Sequence, residues 1–354
     1  MKIGLLTSSA DPFAATLRHL PDFEAAGLDR VFVPEAYTFD SASRLGAIAV
    51  STSTSTVEIA TGIMNVYSRT PGLIAMTAAG LDALSEGRFI LGLGTSGPQV
   101  IEGFHAVPYT APLARTREVI EICRAVWRRE PLTHDGKVFR IPLPADPAEP
   151  AGRAARPLRL VDHPVRAAIP VYLAALGPRN VELAAELADG WLPTLYRPES
   201  AADVFGPALK GGAARRAPGL GPLEIAVDVK LMISDDQDEL ARGYQAVREY
   251  VALYVGGMGA PGKNFYNTLV RRYGFAEAAA QIEDLYRNGR KDAAAAAVPD
   301  QLLRTVSLVG PRGYVAERVA ALRDSGVTAI NAAPVAPDMS RRVSDIAALK
   351  EIAG

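Results

Sequence analysis

Ala26-Gly27-Leu28-Asp29-Arg30-Val31-Phe32-Val33 ends one pattern and begins another. A helical spacing stops at Gly27, and a run apolar on both faces starts at Val31. Glycine suits the left-handed position just past a helix, because it has no Cβ to clash there. The same punctuation recurs at Ser85-Glu86-Gly87-Arg88-Phe89-Ile90-Leu91, at Ala188-Asp189-Gly190-Trp191-Leu192 and at Ser325-Gly326-Val327-Thr328-Ala329-Ile330. Short loops feeding apolar strands, with helical stretches between, describe a parallel sheet buried on both faces. Filling the gaps places strands near 2–7, 30–34, 57–63, 89–94, 170–175, 191–195, 223–232 and 327–333. Helices are expected near 40–50, 71–85, 113–129, 178–188, 236–254, 275–289, 311–324 and 341–352. The alternation predicts an α/β chain folded as a (β/α)8 TIM barrel.

Length alone, 354 residues, leaves one domain or two open. The glycine-then-strand rhythm favours a single barrel domain over 1–354, with the excess placed in two insertions. Residues 131–169 follow the fourth strand and hold a hairpin, Leu132 to Ile141, then a solvated stretch from Pro142 to Pro157. Residues 255–310 follow the seventh strand and hold a glycine-rich loop, several helices and the alanine run 293–297. The alternation Ser51 to Thr56 reads as the end of a helix and the start of a strand.

Composition narrows the class. Hydrophobic residues make up 49% and charged residues 22%, which excludes a disordered chain. Lys and Arg number 38 against 39 Asp and Glu, a net charge of -1, so there is no field for nucleic acid or anionic lipid. The apolar N-terminus is too short for a signal peptide, and polar residues break every candidate bilayer span. The lone cysteine, Cys123, can form no internal disulfide; a packed thiol in a reducing, cytoplasmic compartment is the expectation.

Two glycine motifs invite other readings. Gly92-Leu93-Gly94-Thr95-Ser96-Gly97 matches a dinucleotide fingerprint, but it follows the fourth strand and no strand-end acid lies about twenty residues on. A ligand-facing loop is the better use of these glycines. Gly257-Met258-Gly259-Ala260-Pro261-Gly262-Lys263-Asn264 nearly matches a P-loop, yet a helical pattern precedes it and Asn264 stands where magnesium needs Ser or Thr. A lid over a site is expected instead. His19, His105, His134 and His163 show no metal-ligand spacing, so no metal is expected. No G-x-S-x-G elbow supports a serine hydrolase.

Pro34-Glu35-Ala36-Tyr37, Thr61-Gly62-Ile63-Met64-Asn65, Leu91 to Gln99 and Ala174-Ala175-Leu176-Gly177-Pro178-Arg179-Asn180 together resemble the bacterial-luciferase-like superfamily. Gly256 to Tyr266 and Val306-Ser307-Leu308-Val309-Gly310-Pro311 are similar to its branch that uses the deazaflavin coenzyme F420. The resemblance runs nearly end to end. It implies a barrel with the coenzyme at the carboxyl ends of the strands, and a cis Gly62–Ile63 peptide forming a bulge behind the deazaflavin ring. It also implies that Asn65 contacts the coenzyme, with Thr95, Ser96 and Gln99 on the glycine loop facing its polar tail. Leu176, Gly177, Arg179 and Asn180 lead a strand into a helix whose free N–H groups favour phosphate, with Arg179 adding a charged contact.

Departures from the pattern limit what carries over. The sugar-phosphate dehydrogenases of the superfamily have a histidine where this chain has Ala36, and a glutamate where it has Gly97. The resemblance therefore does not extend to glucose-6-phosphate oxidation. Glu35, Tyr37 and His105 are the candidate catalytic residues, with Glu35 better suited to positioning the coenzyme; Asp40, Tyr67 and Tyr266 are further sources of a proton. The expected function is hydride exchange between coenzyme F420 and a small organic substrate carrying a C=C, C=N, carbonyl or alcohol group. One alternative is an FMN-dependent monooxygenase fed by a separate reductase; another is a non-catalytic coenzyme-binding protein. Relatives are often dimers, so a homodimer is an option that no segment here decides.

Overall fold

The computed structural model describes every residue except 9–11, 52–55, 145–154 and 260–261. Eight parallel strands close a barrel. They are β1 (Lys2–Leu6), β2 (Arg30–Val33), β3 (Glu58–Thr61), β4 (Phe89–Gly94), β5 (Val171–Ala174), β6 (Gly190–Leu192), β7 (Glu224–Ile233) and β8 (Ala329–Pro334). Each lies within or beside the span expected from the sequence. Strands pair in chain order, and β8 returns to β1 with Ala329 opposite Lys2. The short β6 keeps the ring continuous by placing Gly190 opposite Glu224 of β7. Three of the four punctuating glycines behave as expected: Gly27, Gly87 and Gly326 have φ of 88°, 83° and 92° just past helices. Gly190 does not: helix Pro178–Leu187 ends at an extended Ala188, and Gly190 is the first residue of β6, where a Cβ would lie 2.6 Å from the Tyr172 ring.

Period-two alternation sorts the side chains of each strand between two compartments. Val227, Val229 and Leu231 of β7 face the helices, in the layer that forms the main core. Ala226 joins Phe32, Ile90, Tyr172 and Leu192 in a separate cluster inside the barrel. Below it, the wholly buried Arg30 donates to Glu58 at 2.7 Å, to Glu224, and to the Tyr172 hydroxyl at 3.4 Å. This closes the amino-terminal end of the barrel with matched charge. Any site must open at the other end.

Three elements depart from the sequence expectation. Helix Pro198–Ala213 was not anticipated, and helix Phe13–Ala25 was marked only by the helical spacing that stops at Gly27, without a span of its own; each carries an internal proline, Pro207 and Pro21, which ordinarily argues against a helix. The expected insertion 255–310 ends in a strand, Ser307–Gly310, which among the described residues pairs with the upper half of β7, Lys230 opposite Ser307. It fills the gap that opens where β6 and β7 diverge. The hairpin within 132–141 forms as expected, His134 opposite Ile141. Its turn is held by Glu118, which accepts the N–H groups of Lys137, Val138 and Phe139. Much of the Pro142–Pro157 stretch and of Ser51–Thr56 lies outside the described residues.

Gly257–Asn264 does not form a P-loop. It follows helix Gln237–Ala252, which ends in a π-helical turn at Leu253–Gly257. The Asn264 side chain caps helix Phe265–Arg272, accepting from Tyr266 N and Asn267 N and donating to the carbonyls of Tyr254 and Val255. Ala260 and Pro261 lie outside the described residues. Cys123 is buried, and burial raises its thiol pKa. Among the described residues no helix is long and apolar enough to cross a membrane.

Candidate active site

The barrel mouth takes its shape from an irregularity between β3 and β4. Ala60 lies opposite Ile90, but pairing resumes with Met64 opposite Leu93, so one extra residue is accommodated on the β3 side. The Thr61 side chain replaces the missing backbone partner. Its hydroxyl donates to the Gly92 carbonyl at 2.7 Å and accepts the Gly92 N–H at 2.8 Å. The Gly62–Ile63 peptide is cis, as the resemblance implies. Ile63 is directed over the end of β4, where a Cβ on Gly94 would sit 3.0 Å from its Cδ1.

Asn65 follows the bulge and is 1% exposed. Its Oδ1 accepts the N–H groups of Tyr67 and Ser68 at 3.1 and 2.7 Å, which orients the amide. Its Nδ2 is buried and meets no acceptor. A buried donor without a partner is costly, which marks this atom as one that a ligand would satisfy.

Glu35, just past β2, is also buried. Both of its oxygens are engaged: Arg69 donates to each of them, and Ser41 gives its N–H and hydroxyl at 2.8 and 2.7 Å. Burial pushes the carboxyl pKa up, but Arg69 and Ser41 outweigh it and hold the group below its ordinary value. Arg69 was not singled out in the sequence, since nothing local shows that it pairs with a residue 34 positions earlier. Asp40 is committed as the cap of helix Ser41–Ala49, accepting from Ser43 N at 2.9 Å.

The other candidates spread around the mouth. Tyr37 is 58% exposed, with its ring 6.4 Å from that of Phe104. His105 packs edge-on against Phe104, and its Nε2 is buried without a partner. Thr95 and Ser96 are half-buried on the glycine loop, Ser96 with a φ of 54°, and Gln99 is exposed. Tyr67 donates to the Thr110 carbonyl at 2.9 Å, and burial raises its phenol to about 12. That leaves it a poor acid near neutrality.

Leu176 and Gly177 connect β5 to helix Pro178–Leu187, whose amino end carries no side-chain cap. The turn is fixed from below: Trp191 Nε1 donates to the Ala175 carbonyl at 2.9 Å. Arg179 is exposed in the first turn and makes no hydrogen bond or ion pair among the described residues, while Asn180 is half-buried beside it. This terminus combines free N–H groups with an unengaged guanidinium. It is suited to an anion.

Sequence reasoning missed the wall opposite the bulge. Asp228 and Lys230 of β7 face inward, Asp228 accepting from Asn331 Nδ2 at 3.1 Å. Tyr250, Tyr254 and Tyr266 pack beside them in one tilted and one edge-on pair, with successive ring centroids 4.5 and 4.7 Å apart. The signal was available: in Ala226-Val227-Asp228-Val229-Lys230-Leu231, charges two apart interrupt an apolar strand on its interior face. Tyr266, one of the expected candidates, belongs to this wall. Among the described residues no cluster of three or more His, Cys, Asp or Glu could hold a metal.

Comparison with known proteins agrees with this fold. The family model of the luciferase-like monooxygenases matches residues 1–329. A provisionally named coenzyme F420-dependent oxidoreductase of Mycobacterium tuberculosis is 40% identical over 356 residues, covering 99% of each chain. The 5,10-methylenetetrahydromethanopterin reductase of Archaeoglobus fulgidus is 25% identical over 327 residues, covering 90% of each. Among solved structures, the coenzyme F420-dependent tetrahydromethanopterin reductase of Methanopyrus kandleri superposes with a TM-score of 0.80 at 22% identity, over 98% of this chain and 97% of that one. An FMN complex of a type II Baeyer–Villiger monooxygenase from Pseudomonas putida superposes with a TM-score of 0.66 at 17% identity, over 100% and 98%. At those identities the two structures speak for the fold. With the family model spanning most of its length and a relative at 40% identity, this chain belongs to the luciferase-like monooxygenase family.

Proposed function

We propose that the protein is a coenzyme F420-dependent oxidoreductase that exchanges hydride with a small organic substrate bearing a C=C, C=N, carbonyl or alcohol group. The observation that carries this reading is Asn65 Nδ2, a buried donor without a partner, set beside Ile63 at the bulge. Both fit the edge and face of a flat ring system. The nearly full-length similarity to a relative named for coenzyme F420 favours the deazaflavin over FMN.

When bound, the deazaflavin supplies the carbon that carries the hydride. The chain supplies position. Ile63 backs the ring, Asn65 Nδ2 donates to its polar edge, and Thr95 and Ser96 line the glycine loop beside it. The amino end of helix Pro178–Leu187 and Arg179 take the anionic tail. Gln99, Leu176, Gly177 and Asn180 frame that tail, and Gly62 lets the bulge turn. Glu35, with its oxygens engaged by Arg69 and Ser41, orients the loop after β2 and does not shuttle protons. Tyr37 and His105 stand at the rim, where closure over a substrate would bring them to it.

Titration with oxidised coenzyme F420 and with FMN, followed by fluorescence and absorbance, tests the reading. Saturable binding of F420 is expected; micromolar affinity for FMN with no response to F420 would sink it. Arg179→Ala should weaken coenzyme binding by about 1.5–3 kcal/mol, the worth of a charge-assisted phosphate contact. Asn65→Leu should cost about 1 kcal/mol for one neutral hydrogen bond. An affinity unchanged in both variants refutes the assigned orientation.

A further inference from the structure

Opposite the bulge, β7 presents two charged side chains that remain uncommitted to each other. Asp228 and Lys230 are two residues apart and so share the interior face of the strand, yet they form no ion pair. Asp228 accepts from Asn331 Nδ2, and Lys230 Nζ lies 4.6 Å from the centre of the Tyr250 ring. Among the described residues no acceptor meets the Lys230 ammonium. Tyr250 is fixed by Thr194, 2.8 Å between hydroxyl oxygens, and Tyr254 and Tyr266 continue the aromatic wall. All five residues keep some exposed surface, and Asp228, Lys230 and Tyr250 line a small pocket together with Leu6, Leu195 and Ala333. In the ring of eight strands, β7 faces the β3–β4 side across the opening. A compound lying against this wall would face the bulge.

We propose that Lys230, Asp228 and the wall of Tyr250, Tyr254 and Tyr266 form the substrate subsite, shaped for a small planar conjugated carbonyl compound whose oxygen meets the Lys230 ammonium. The proposal rests on the coenzyme reading above, which puts the hydride source on the opposite wall. Tyrosine rings favour a flat, conjugated partner by stacking or edge contact. As the hydride adds to the substrate carbon, the π pair of the carbonyl moves onto oxygen, and Lys230 Nζ gives that oxygen a proton. A C–H and an O–H bond form, the C=O π bond and one N–H bond break, and the reduced coenzyme is oxidised by two electrons. Water then returns the proton to the amine. Asp228 keeps the lysine charged between turnovers. Burial lowers the Lys230 pKa, with Asp228 opposing it and Arg342 adding to it, which favours proton release at this position.

The probe is 4-hydroxybenzaldehyde with sodium cyanoborohydride, which reduces an aldehyde–lysine imine to a stable adduct that peptide mass spectrometry locates. Lys230 should take the label at aldehyde concentrations that leave the exposed Lys137, Lys263 and Lys291 unmodified. Tyr254→Leu should cut Lys230 labelling about tenfold, the scale of one aromatic contact. Tyr254→Phe, which keeps the ring, should retain the labelling and guards against misfolding as the cause. Lys230→Met should bind coenzyme F420 as tightly as the unaltered protein. Lys230 labelled no faster than the surface lysines, labelling indifferent to Tyr254→Leu, or loss of F420 affinity in Lys230→Met would each overturn the subsite. Should the unaltered protein fail to bind F420 while Tyr254-dependent labelling persists, the coenzyme reading falls and the aldehyde subsite stands.

Discussion

Arg69→Met is expected to lower the unfolding free energy at pH 7 by about 3 kcal/mol, because it strands a buried carboxylate. The Glu35 side chain is 6% exposed and that of Arg69 is 15% exposed, so water replaces little of what the substitution removes. Ser41 still gives its N–H and hydroxyl, which keeps the loss near the lower end for a broken buried pair. The pH dependence follows from the sign of the shift. Glu35 has a depressed pKa when folded, so its stabilisation is present above the ordinary value of 4.5 and is lost as pH falls through the folded value. The gap between the two proteins should therefore be widest near neutrality and should narrow in acid, where the carboxyl is protonated in both. Urea unfolding across this range measures it, and Glu35→Gln combined with Arg69→Met should recover part of the loss. A gap that is constant with pH would show that the pair is not the cause.

Gly92→Ala should destabilise the protein by about 3 kcal/mol or more, while Gly97→Ala, in the same glycine motif, should be nearly neutral. A Cβ on Gly92 would lie 1.9 Å from the Thr61 carbonyl oxygen and 3.0 Å from its carbonyl carbon. Those are backbone atoms of the adjoining strand, held by the two hydrogen bonds of the Thr61 hydroxyl, so neither can step aside cheaply. A Cβ on Gly97 meets nothing within 4 Å, and its φ of -109° suits any residue. Thermal unfolding of the two variants distinguishes them. Coenzyme affinity should fall with Gly92→Ala as well, because moving Thr61 displaces Ile63 and Asn65. Equal stability of the two variants would refute the account of this seam.

This contrast shows where the sequence was readable. The G-x-G-x-x-G spacing was visible and its position after the fourth strand argued against a dinucleotide fold. Why its first glycine is required was not visible, since that depends on a threonine 31 residues earlier. The spacing before Gly27 marked the end of helix Phe13–Ala25 but not its span, and helix Pro198–Ala213 went unread; each holds an internal proline that packing on the barrel tolerates. Strand Ser307–Gly310 was hidden in an insertion because its partner among the described residues is the upper half of β7. The wall on β7 was overlooked for the opposite reason: Asp228 and Lys230 sit in a strand that was correctly placed, but were not followed to the face they occupy.

The sequence by itself determined the order of the eight barrel strands, their two-sided burial and the glycines Gly27, Gly87 and Gly326 that end helices. All of these arise from preferences within a few neighbouring residues. Tertiary structure alone decided which charges meet. Arg30 lies between acids from β3 and β7, Glu35 pairs with Arg69, and Asp228 pairs with Asn331 across 103 residues of chain. Barrel closure sets those distances, and the low polarity of the interior makes each pairing, or each donor left without one, consequential.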